Sequence, residues 1–522
     1  MATCPVTFTL ASFGRVNLGS RMPQVIFTPS GPTATLDGFL LSAAPITATL
    51  DPTTGLGVVE LEPYANMIDP QHYTVRIVLL DPNSPSTFID FPDWKIIVPN
   101  GGGPLAGMVN AITETNPAWV GGPVSAPADF RWPDSPLAGR LNMIGGQFTT
   151  TLDVSEYKLS GGAVFYVDGV NGLDTNAGTI SAPYKTIKKA HDQATVQTIM
   201  VRATGIYTRA LQMNGFPITK SLNIIGYDGT PTIANSDILT WTLTSGKTYT
   251  YQAARTNVGN VGDIAAGLPG AMYAKKASIA EVEATPGSYW SDTALVYVHP
   301  IDNRVADANV LAVIAGGGPI LVTIDATIYL EGITVLGGQS CIDVRAPVGG
   351  VGPILLMKNV RAGFSAVTNV INALGVQLAI SQDCQAFGSV TDGFNYHAYN
   401  GIIPKAIEIN CQGFSNGRDT SSDNGSTAHD GATVIRVNGR YYDNRHSNVA
   451  DVHADTQSWN LGCTAFSSRG EDDWAFLTDS PASWLDTCGG FGSRFGLTVG
   501  ALATVKVRTS TFDSINGTTT AY

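Results

Sequence analysis

Residues 379–387 read AISQDCQAF and residues 406–414 read AIEINCQGF, and the same pattern returns four more times before the end of the chain. Each copy consists of a short run typical of a β-strand, a small residue, and an aromatic residue three positions later. The later copies are VIRVNGRYY (434–442), WNLGCTAF (459–466), WLDTCGGF (484–491) and VKVRTSTF (505–512). The small residue recurs at intervals of 27, 28, 24, 25 and 21 residues. The chain therefore carries a structural repeat of about 25 residues.

A repeat of this size that holds only short strands cannot bury its own apolar face, so it has to stack on its neighbours. A parallel β-helix is the simplest solution, because each coil then adds one strand spacing of ~4.8 Å and equivalent residues form ladders. We expect the aromatic residues to stack in the interior, with the small residues in a second ladder beside them. The aromatic ladder comprises Phe387, Phe414, Tyr442, Phe466, Phe491 and Phe512, and the small ladder comprises Cys384, Cys411, Gly439, Cys463, Cys488 and Thr509. Disulfides between these cysteines are the competing interpretation.

Alternation along a strand predicts which side chains of each copy point outward. In AIEINC the two isoleucines should point into the coil, which leaves Glu408 and Asn410 outside. In VIRVNG, Arg436 and Asn438 should point outward for the same reason. Glu408 would then face Arg436 one coil away in an exposed ion pair, and the two asparagines would stack at a turn.

Composition excludes several classes of protein. Only 14% of the 522 residues are charged, the net charge is −12, and 57 residues are glycine. A basic nucleic-acid binder is excluded by the charge, and disorder by an apolar content of 43%. No apolar run approaches the ~18 to 20 residues that a bilayer span needs. The first residues lack the charged-then-apolar order of a signal peptide, so we expect a soluble protein that is not exported by that route.

The stretch YVDGVNGLDTNAGT (166–179), followed by APYKTIKKA (182–190), resembles the entry segment of right-handed parallel β-helices of the pectate-lyase type. That group includes many phage tail spikes. TIMVRATGIYT (198–208) and SLNIIGYDGTPTI (221–233) are similar to the first coils of such helices. Together with the repeat, the resemblance implies an all-β fold built on a right-handed single-stranded parallel β-helix.

Three regions are predicted along the chain. Residues 1–99 read as strands separated by Pro, Gly and Asp turns, which indicates a separate β-sandwich-like domain. This domain resembles N-terminal domains of minor tail proteins from phages of actinobacteria. Residues 100–160 are rich in Gly and Pro and are typical of a neck or linker. Residues 161–522 form the parallel β-helix, with a capping helix near 184–194 and a lateral insertion near 236–300.

Four coils carry long excursions after the aromatic position, at 388–404, 415–433, 443–457 and 467–482. Because they leave consecutive coils at one corner, we expect them to stack into a single rim. They contain 11 of the 42 acidic residues and four of the seven histidines. Loops on a rigid scaffold commonly carry binding and catalysis, so the rim is the predicted functional surface.

Glycoside hydrolysis needs two carboxyl groups that flank the scissile bond, and carboxyls on stacked coils are spaced by multiples of the coil separation. The predicted catalytic residues are Asp392, Glu408, His429, Asp430, Asp443 and Asp451. The predicted glycan-binding residues are Phe394, Tyr396, His397 and Trp474. No metal or other cofactor is predicted, although the stretch DTSSDNGS (419–426) leaves a Ca²⁺ site open. Solvated loops without a catalytic role are the other alternative for this rim.

The resemblance to tail spikes implies a virion protein, a phage tail spike or minor tail protein that forms a homotrimer and is assembled in the cytoplasm of the bacterial host. The N-terminal domain would attach to other tail or baseplate proteins, and the β-helix would bind bacterial surface polysaccharide during adsorption. Three aromatic residues in the neck suggest contacts between subunits, namely Trp119, Phe130 and Trp132. The alternative is an enzyme, a tail-borne polysaccharide depolymerase. Hydrolysis is favoured over elimination, because a lyase needs cations and the rim offers only Arg418, Arg445 and Arg469.

Overall fold

A computed structural model describes residues 3–9, 23–35, 40–42, 44–51, 56–63, 66–68, 71–79, 88–99, 102–105, 108–110, 122–144, 147–213, 215–418, 423–477, 479 and 481–522. The chain divides into two compact units, each of which is described by itself. The first unit comprises residues 1–124 and 139–150, and the second comprises residues 125–138 and 151–522. Within the described ranges, no helix is long and apolar enough to cross a membrane.

The first unit consists of small β-sheets. A four-stranded sheet contains, in spatial order, Gly103–Pro104, Cys4–Thr9, Leu56–Leu61 and Thr49–Leu50. A five-stranded sheet contains Val109–Asn110, Phe88–Ile96, Tyr73–Leu79, Pro23–Pro29 and Ile46–Thr47. Thr33–Ala34 pairs with Leu40–Leu41, and Gly122–Pro123, Leu141–Ile144 and Gln147–Thr150 form a three-stranded sheet. The two larger sheets share one apolar core, in which the rings of Phe8 and Phe27 lie 5.7 Å apart.

The second unit is a parallel β-helix with three sheets, so the prediction of an all-β β-helix is confirmed. The first sheet contains Ala163–Val167, Val196–Arg202, Leu222–Tyr227, Thr327–Glu331, Ile354–Lys358, Leu378–Gln382, Lys405–Ile409, Thr433–Val437, Gln457–Leu461, Ala482–Asp486, Thr504–Arg508 and Thr520–Ala521. The second contains Ile206–Tyr207, Thr232–Ala234, Thr334–Leu336, Arg361–Gly363, Gln385–Phe387, Gln412–Phe414, Arg440–Tyr442, Thr464–Phe466, Gly489–Phe491 and Thr511–Phe512. The third contains Ile320–Val322, Ile342–Arg345, Ile371–Leu374, Phe394–His397, Ser426–Ala428, Val449–Val452, Trp474–Leu477, Leu497–Val499 and Ile515–Asn516.

A short helix, Ile187–His191, packs against the start of the coil. Its side chains Ile187 and Ala190 belong to the apolar core that runs inside the first coils. The hydroxyl of Thr186 begins the helix by accepting the backbone N–H of Lys189 at 3.1 Å. This helix lies within the segment in which a cap was predicted.

A lateral insertion separates Thr232–Ala234 from Ile320–Val322. It contains a five-stranded sheet of Thr242–Leu243, Tyr251–Ala254, Leu295–His299, Ser288–Ser291 and Ala274–Lys275, a three-stranded sheet of Ala271–Met272, Val258–Asp263 and Val310–Ile314, and the helix Ile279–Ala284. The insertion therefore continues beyond residue 300, because Val310–Ile314 completes its smaller sheet.

The small residues form the interior ladder that the repeat predicts. Cys384, Cys411 and Cys463 are completely buried, and Cys488 is almost so. All of these cysteines carry free thiols, so the disulfide interpretation is wrong. Burial raises the pKa of the Cys411 thiol well above its usual value, which keeps this thiol in the neutral form.

The predicted orientation of the first-sheet strands is wrong, and the strands face the other way. Glu408 and Arg436 are fully buried in the interior, where Arg436 Nε lies 3.8 Å from Glu408 Oε1. Ile407 instead belongs to an outward row that continues through Ile435 to Trp459. The strands are apolar on both faces because the chain itself covers this outward row, so alternation alone could not identify the inner face.

The cover is a segment of the second unit, Ser125–Ala138, which we call the strap. Phe130 of the strap packs between Trp459 and Trp484, with ring centroids 5.9 and 5.7 Å away. Trp132 lies under the ammonium group of Lys405 at 5.5 Å. Both strap aromatics thus make contacts within their own chain, whereas the sequence suggested contacts between subunits. Trp119 lies outside the described residues.

The aromatic ladder exists, but it lies on the outside of the coil. Successive rings from Phe387 through Phe414 and Tyr442 to Phe466 stack with centroids 5.6, 5.0 and 5.0 Å apart. The lateral insertion covers the first of these rings, and Phe491 at the far end is 43% exposed. Phe512 breaks the register, because it pairs with Gly490 and packs into the interior core instead.

Turns between the first and second sheets repeat one backbone conformation. Asp383, Asn410 and Asn438 have φ values of 56°, 53° and 53°, in the left-handed region that asparagine and aspartate tolerate. Asn438 Nδ2 donates to Asn410 Oδ1 at 3.3 Å, and Asn410 Nδ2 donates to Asp383 Oδ1 at 3.0 Å. The predicted stack of asparagines at a turn is therefore confirmed.

Candidate functional site

The four excursions are not loops on one corner, because each contains a strand of the third sheet. Phe394–His397, Ser426–Ala428, Val449–Val452 and Trp474–Leu477 cross the coil in the middle of the four excursions. Residues before these strands therefore lie at one edge of the third sheet, and residues after them lie at the opposite edge. The predicted single rim is therefore wrong. The residues of the excursions lie at the two opposite edges of the third sheet and on the strands between these edges.

Two predicted catalytic acids lie in the interior of the coil. Glu408 and Asp451 are completely buried on either side of Arg436, whose Nη2 lies 2.8 Å from Asp451 Oδ1. Tyr441 donates its hydroxyl to Glu408 at 2.6 Å, and Ser426 donates to the same carboxyl at 2.7 Å. Burial raises the pKa of Glu408 despite these partners. These contacts pair the buried charge of Arg436 and fill its hydrogen bonds. The network lies inside the coil and offers no surface to a polysaccharide.

Three predicted glycan-binding residues also lie inside the coil. Phe394 and Trp474 are completely buried, and Tyr396 is 1% exposed. They occupy inward positions of third-sheet strands, and Trp474 donates its indole N–H to the carbonyl of Gly489 at 2.9 Å. Their rings therefore fill the core and cannot stack on a sugar.

Two further candidates lie at the edge where the third-sheet strands begin. Asp392 is buried and accepts the backbone N–H of Asn424 at 2.8 Å. Desolvation is the main cause that raises the pKa of Asp392 to about 7. Asp443 occupies a left-handed turn with φ of 53° and accepts the hydroxyl of Ser415 at 2.6 Å. Both acidic residues therefore hold turns at the sheet edge together.

The remaining candidates meet at the edge where the third-sheet strands end. Asp430 lies between two imidazoles, with its Oδ2 3.0 Å from His397 Nδ1 and its Oδ1 2.6 Å from His453 Nδ1. The ring of His429 lies 5.2 Å from that of His397 and 5.5 Å from that of His453. We call His397, His429, Asp430 and His453 the histidine cluster. Three successive coils contribute to it.

The contacts define where protons lie in the histidine cluster. Two groups lie within hydrogen-bond distance of His397 Nδ1, the Asp430 carboxylate and the carbonyl of Ala398 at 2.8 Å. Both can only accept, so this nitrogen carries a proton. His453 Nδ1 likewise donates to the Asp430 carboxylate. The Nε2 atoms of both rings are thereby left to exchange protons with a bound molecule. A carboxylate that fixes the tautomer of an imidazole in this way is a common feature of acid–base sites.

His429 differs from the two flanking rings in its electrostatics. Burial is the main cause that lowers its pKa to about 4, and the neighbouring imidazoles act in the same direction. Its Nδ1 is buried and has no hydrogen-bond partner among the described residues. His429 is therefore a neutral imidazole at physiological pH, beside an anion and two rings that can carry positive charge.

The cluster holds one carboxylate and not the pair that glycosidases commonly use. Asp392 is five residues from His397 along an extended segment, which separates them by about 15 Å. Asp392 and Asp430 therefore lie at opposite edges of the third sheet and do not form the carboxyl pair of a glycosidase, which is roughly 5 to 9.5 Å apart. His446, the fourth histidine of the excursions, lies at the same edge as Asp392, where its Nε2 is 3.8 Å from Glu471. Acid–base chemistry at the cluster would therefore depend on imidazoles.

Sequence reasoning selected three members of the cluster and did not assign a role to His453. Its contact with Asp430 depends on the third-sheet strand between them, and three-residue strands such as Ser426–Ala428 leave almost no periodic signal. Among the described residues, no group of three or more His, Cys, Asp or Glu side chains is arranged to hold a metal ion. The proposed Ca²⁺ segment lies partly outside the described residues, at 419–422.

One family model matches part of the chain. Residues 170–258 match the model of a family described as a protein of unknown function (DUF1565), which covers less than half of the chain. No curated protein matches the chain. The parallel β-helix that the sequence suggested is confirmed as a fold by the three parallel sheets of the structure, and no finding identifies a phage tail protein.

Among solved structures, a glycoside hydrolase is similar over 69% of this chain and 95% of its own, with 9% identity and a TM-score of 0.45. The complex of XylC with xylose is similar over 66% of this chain and 70% of its own, with 10% identity and a TM-score of 0.41. The pectate lyase Pel9A is similar over 68% of this chain and 80% of its own, with 12% identity and a TM-score of 0.29. At this level the similarity concerns the coil and says nothing about activity.

Proposed function

We propose that the chain cleaves a polysaccharide by acid–base catalysis at the histidine cluster. The observation that carries this proposal is the placement of Asp430 between the Nδ1 atoms of His397 and His453, at 3.0 and 2.6 Å. A carboxylate shared by two imidazoles can hold one ring as imidazolium and orient the other as a neutral base. The glycan as substrate class rests on the resemblance of residues 161–522 to carbohydrate-associated β-helices.

Hydrolysis is the reaction that fits these groups best. One imidazole would remove a proton from water while the water oxygen attacks the anomeric carbon. The other, as imidazolium, would donate its proton to the leaving glycosidic oxygen as the C–O bond breaks. His429, a neutral imidazole, lies beside both rings, with centroids 5.2 and 5.5 Å away, and would support their orientation.

Elimination is less well supported by the surroundings of the cluster. A lyase must neutralise a uronate carboxylate with cations. Arg131, the arginine in contact with the turns of the cluster, donates to the carbonyls of Gly431 and Asp455. Its charge is thus directed at the protein backbone, and the proposal names hydrolysis first.

Incubation of the purified protein with bacterial capsule, lipopolysaccharide and cell-wall glycans tests the proposal. We expect new reducing ends without the ultraviolet absorbance of an unsaturated uronate. Appearance of that absorbance would assign elimination instead. Binding of a glycan in a microarray without any product from it contradicts cleavage.

The expectation of a phage tail component remains a second proposal, and it rests on the resemblance of the entry segment to tail spikes. In that role the protein would bind surface glycan during adsorption and would occur as a homotrimer. Mass photometry at micromolar concentration is expected to give three times the chain mass of 54.8 kDa. A monomer would count against this proposal while leaving the cleavage proposal intact.

A further inference from the structure

One arginine of the strap joins the two turns that carry the histidine cluster. Nη2 of Arg131 donates to the carbonyl of Gly431 at 3.1 Å and also to the carbonyl of Asp455. Gly431 directly follows Asp430 in the chain, and Asp455 follows His453 by two residues. A single guanidinium therefore links the segment that presents the carboxylate to the segment that presents an imidazole.

These turns have a backbone that needs support. Asp430, His453 and Asp455 have φ values of 51°, 72° and 62°, all in the left-handed region. Side chains other than glycine adopt this region at a cost, and they keep it when surrounding contacts fix the conformation. Hydrogen bonds to the carbonyls of Gly431 and Asp455 provide such contacts.

The strap itself is anchored on both sides of Arg131. Phe130 packs against Trp459 and Trp484, and the backbone N–H of Arg131 donates to Gln457 Oε1 at 2.9 Å. Asp129 forms an ion pair with Lys506 at 2.9 Å. The guanidinium is thus held from a rigid support and not from a mobile tail.

We propose that Arg131 is a positioning residue, which holds Asp430 against the Nδ1 atoms of His397 and His453 and makes the strap part of the functional site. The inference rests on the proposed function for its catalytic consequence, but the positioning can be measured without a substrate. Arginine suits the task because one planar group can donate to two carbonyls, whereas lysine offers a point charge.

The first experiment is NMR of the imidazole groups in the full chain. Arg131→Gln is expected to change the chemical shifts and the titration of His453 and His397. His191 and His299, in the cap and the insertion, serve as internal references that should not change. Arg361→Gln, the same substitution at an exposed position of the second sheet, should leave all histidine signals as in the unmodified chain.

Arg131→Lys keeps the positive charge but loses the planar guanidinium, so it separates the effect of charge from the effect of hydrogen-bonding geometry. We expect it to change the His453 signal in the same direction as Arg131→Gln. An Arg131→Gln protein that is folded by circular dichroism and has unchanged His397 and His453 titrations overturns the inference.

The second experiment uses whichever glycan the protein cleaves. Arg131→Gln should lower kcat about tenfold or more and change KM less than twofold, because misplacement of catalytic groups affects the reaction more than binding. A loss confined to KM would overturn the positioning role. If no glycan is cleaved, the proposed function fails, and the NMR result still decides whether Arg131 orders the cluster.

Discussion

His453 Nδ1 lies 2.6 Å from Asp430 Oδ1, although 23 residues separate the two in the chain. One coil of the helix accounts for this separation, so the contact joins equivalent edges of neighbouring coils. The same carboxylate also reaches His397 on the preceding coil, at 3.0 Å. A β-helix thus assembles an acid–base group from residues far apart in sequence by repeating one geometry, and this arrangement is open to direct test.

Asp430→Asn should remove most of the proposed activity. The NH2 group that replaces one carboxylate oxygen is a donor, so it cannot accept the Nδ1–H group that faces it, and the neutral amide does not stabilise an imidazolium. General acid–base catalysis contributes typically 10²–10⁴-fold, and we expect kcat to fall by at least about 100-fold. The rate at which reducing ends form measures this fall in kcat. Asp383→Asn is the matched control, because Asp383 occupies an exposed left-handed turn remote from the cluster; equal losses in both variants would exclude Asp430 from the reaction.

The repeat made the coil predictable, and the reasons are visible in single residues. Asp383, Asn410 and Asn438 mark the same turn because only few residue types tolerate its left-handed backbone. Cys384, Cys411 and the equivalent cysteines mark the next position because only small side chains fit there. The left-handed backbone and the small side chain are both local requirements, and local requirements can be recognised in a single sequence.

The orientation of side chains was not predictable from the same pattern. Alternation predicts Ile407 and Ile409 on the inner face and Glu408 on the surface, yet the strap covers the outward row and the interior accommodates a paired charge. The pattern also gives no sign of the third sheet, so it predicts Asp392 and Asp430 on one rim although they lie at opposite edges. In both cases the deciding information is a tertiary contact, which a strand pattern does not contain.

Arg436→Met should destabilise the protein strongly. The change leaves Glu408 and Asp451 as buried carboxylates without the cation that lies between them. Removal of one partner from a buried ion pair costs about 3–5 kcal/mol. Urea unfolding at neutral pH measures this, with Arg440→Met as a control at an exposed position of the neighbouring second sheet. The variant Glu408→Gln/Arg436→Met/Asp451→Asn should recover part of the loss, and a triple variant less stable than Arg436→Met would contradict the account.

Asn438→Gly should be more stable than Asn438→Ala, which reverses the usual order of these residues in regular structure. The backbone at Asn438 has φ of 53°, where a Cβ atom costs about 1–2 kcal/mol and glycine pays no such cost. Thermal unfolding of the two variants side by side measures the difference. Equal midpoints would contradict this account, because the ladder bond to Asn410 at 3.3 Å is lost in both variants and cannot hide the cost of the Cβ atom.

Asp392 should make the fold less stable as the pH rises. Burial raises its folded-state pKa to about 7 from 3.8, so the folded chain keeps a proton that the unfolded chain has released. Stability from this group is therefore fully present below about pH 4 and declines until about pH 7. Asp392→Asn should reduce the difference in unfolding midpoint between pH 5 and pH 8. A difference that stays the same would mean that Asp392 is ionised in the folded state.

The pH dependence of cleavage should reveal which imidazole acts as the base. His429 has its pKa lowered to about 4 by burial, so a reaction that needs only neutral His429 would keep its acidic limb near that pH. The proposal assigns proton transfer to His397 and His453, whose Nε2 atoms are oriented by Asp430, so we expect His429→Asn to leave the position of the limb unchanged. His453→Asn should lower kcat by about 100-fold, in the range typical of a lost acid–base group. A profile of kcat/KM against pH, measured between pH 3.5 and 9 for the unmodified protein and both variants, separates the two assignments. An acidic limb near pH 4 that disappears with His429→Asn would transfer the role of base to His429.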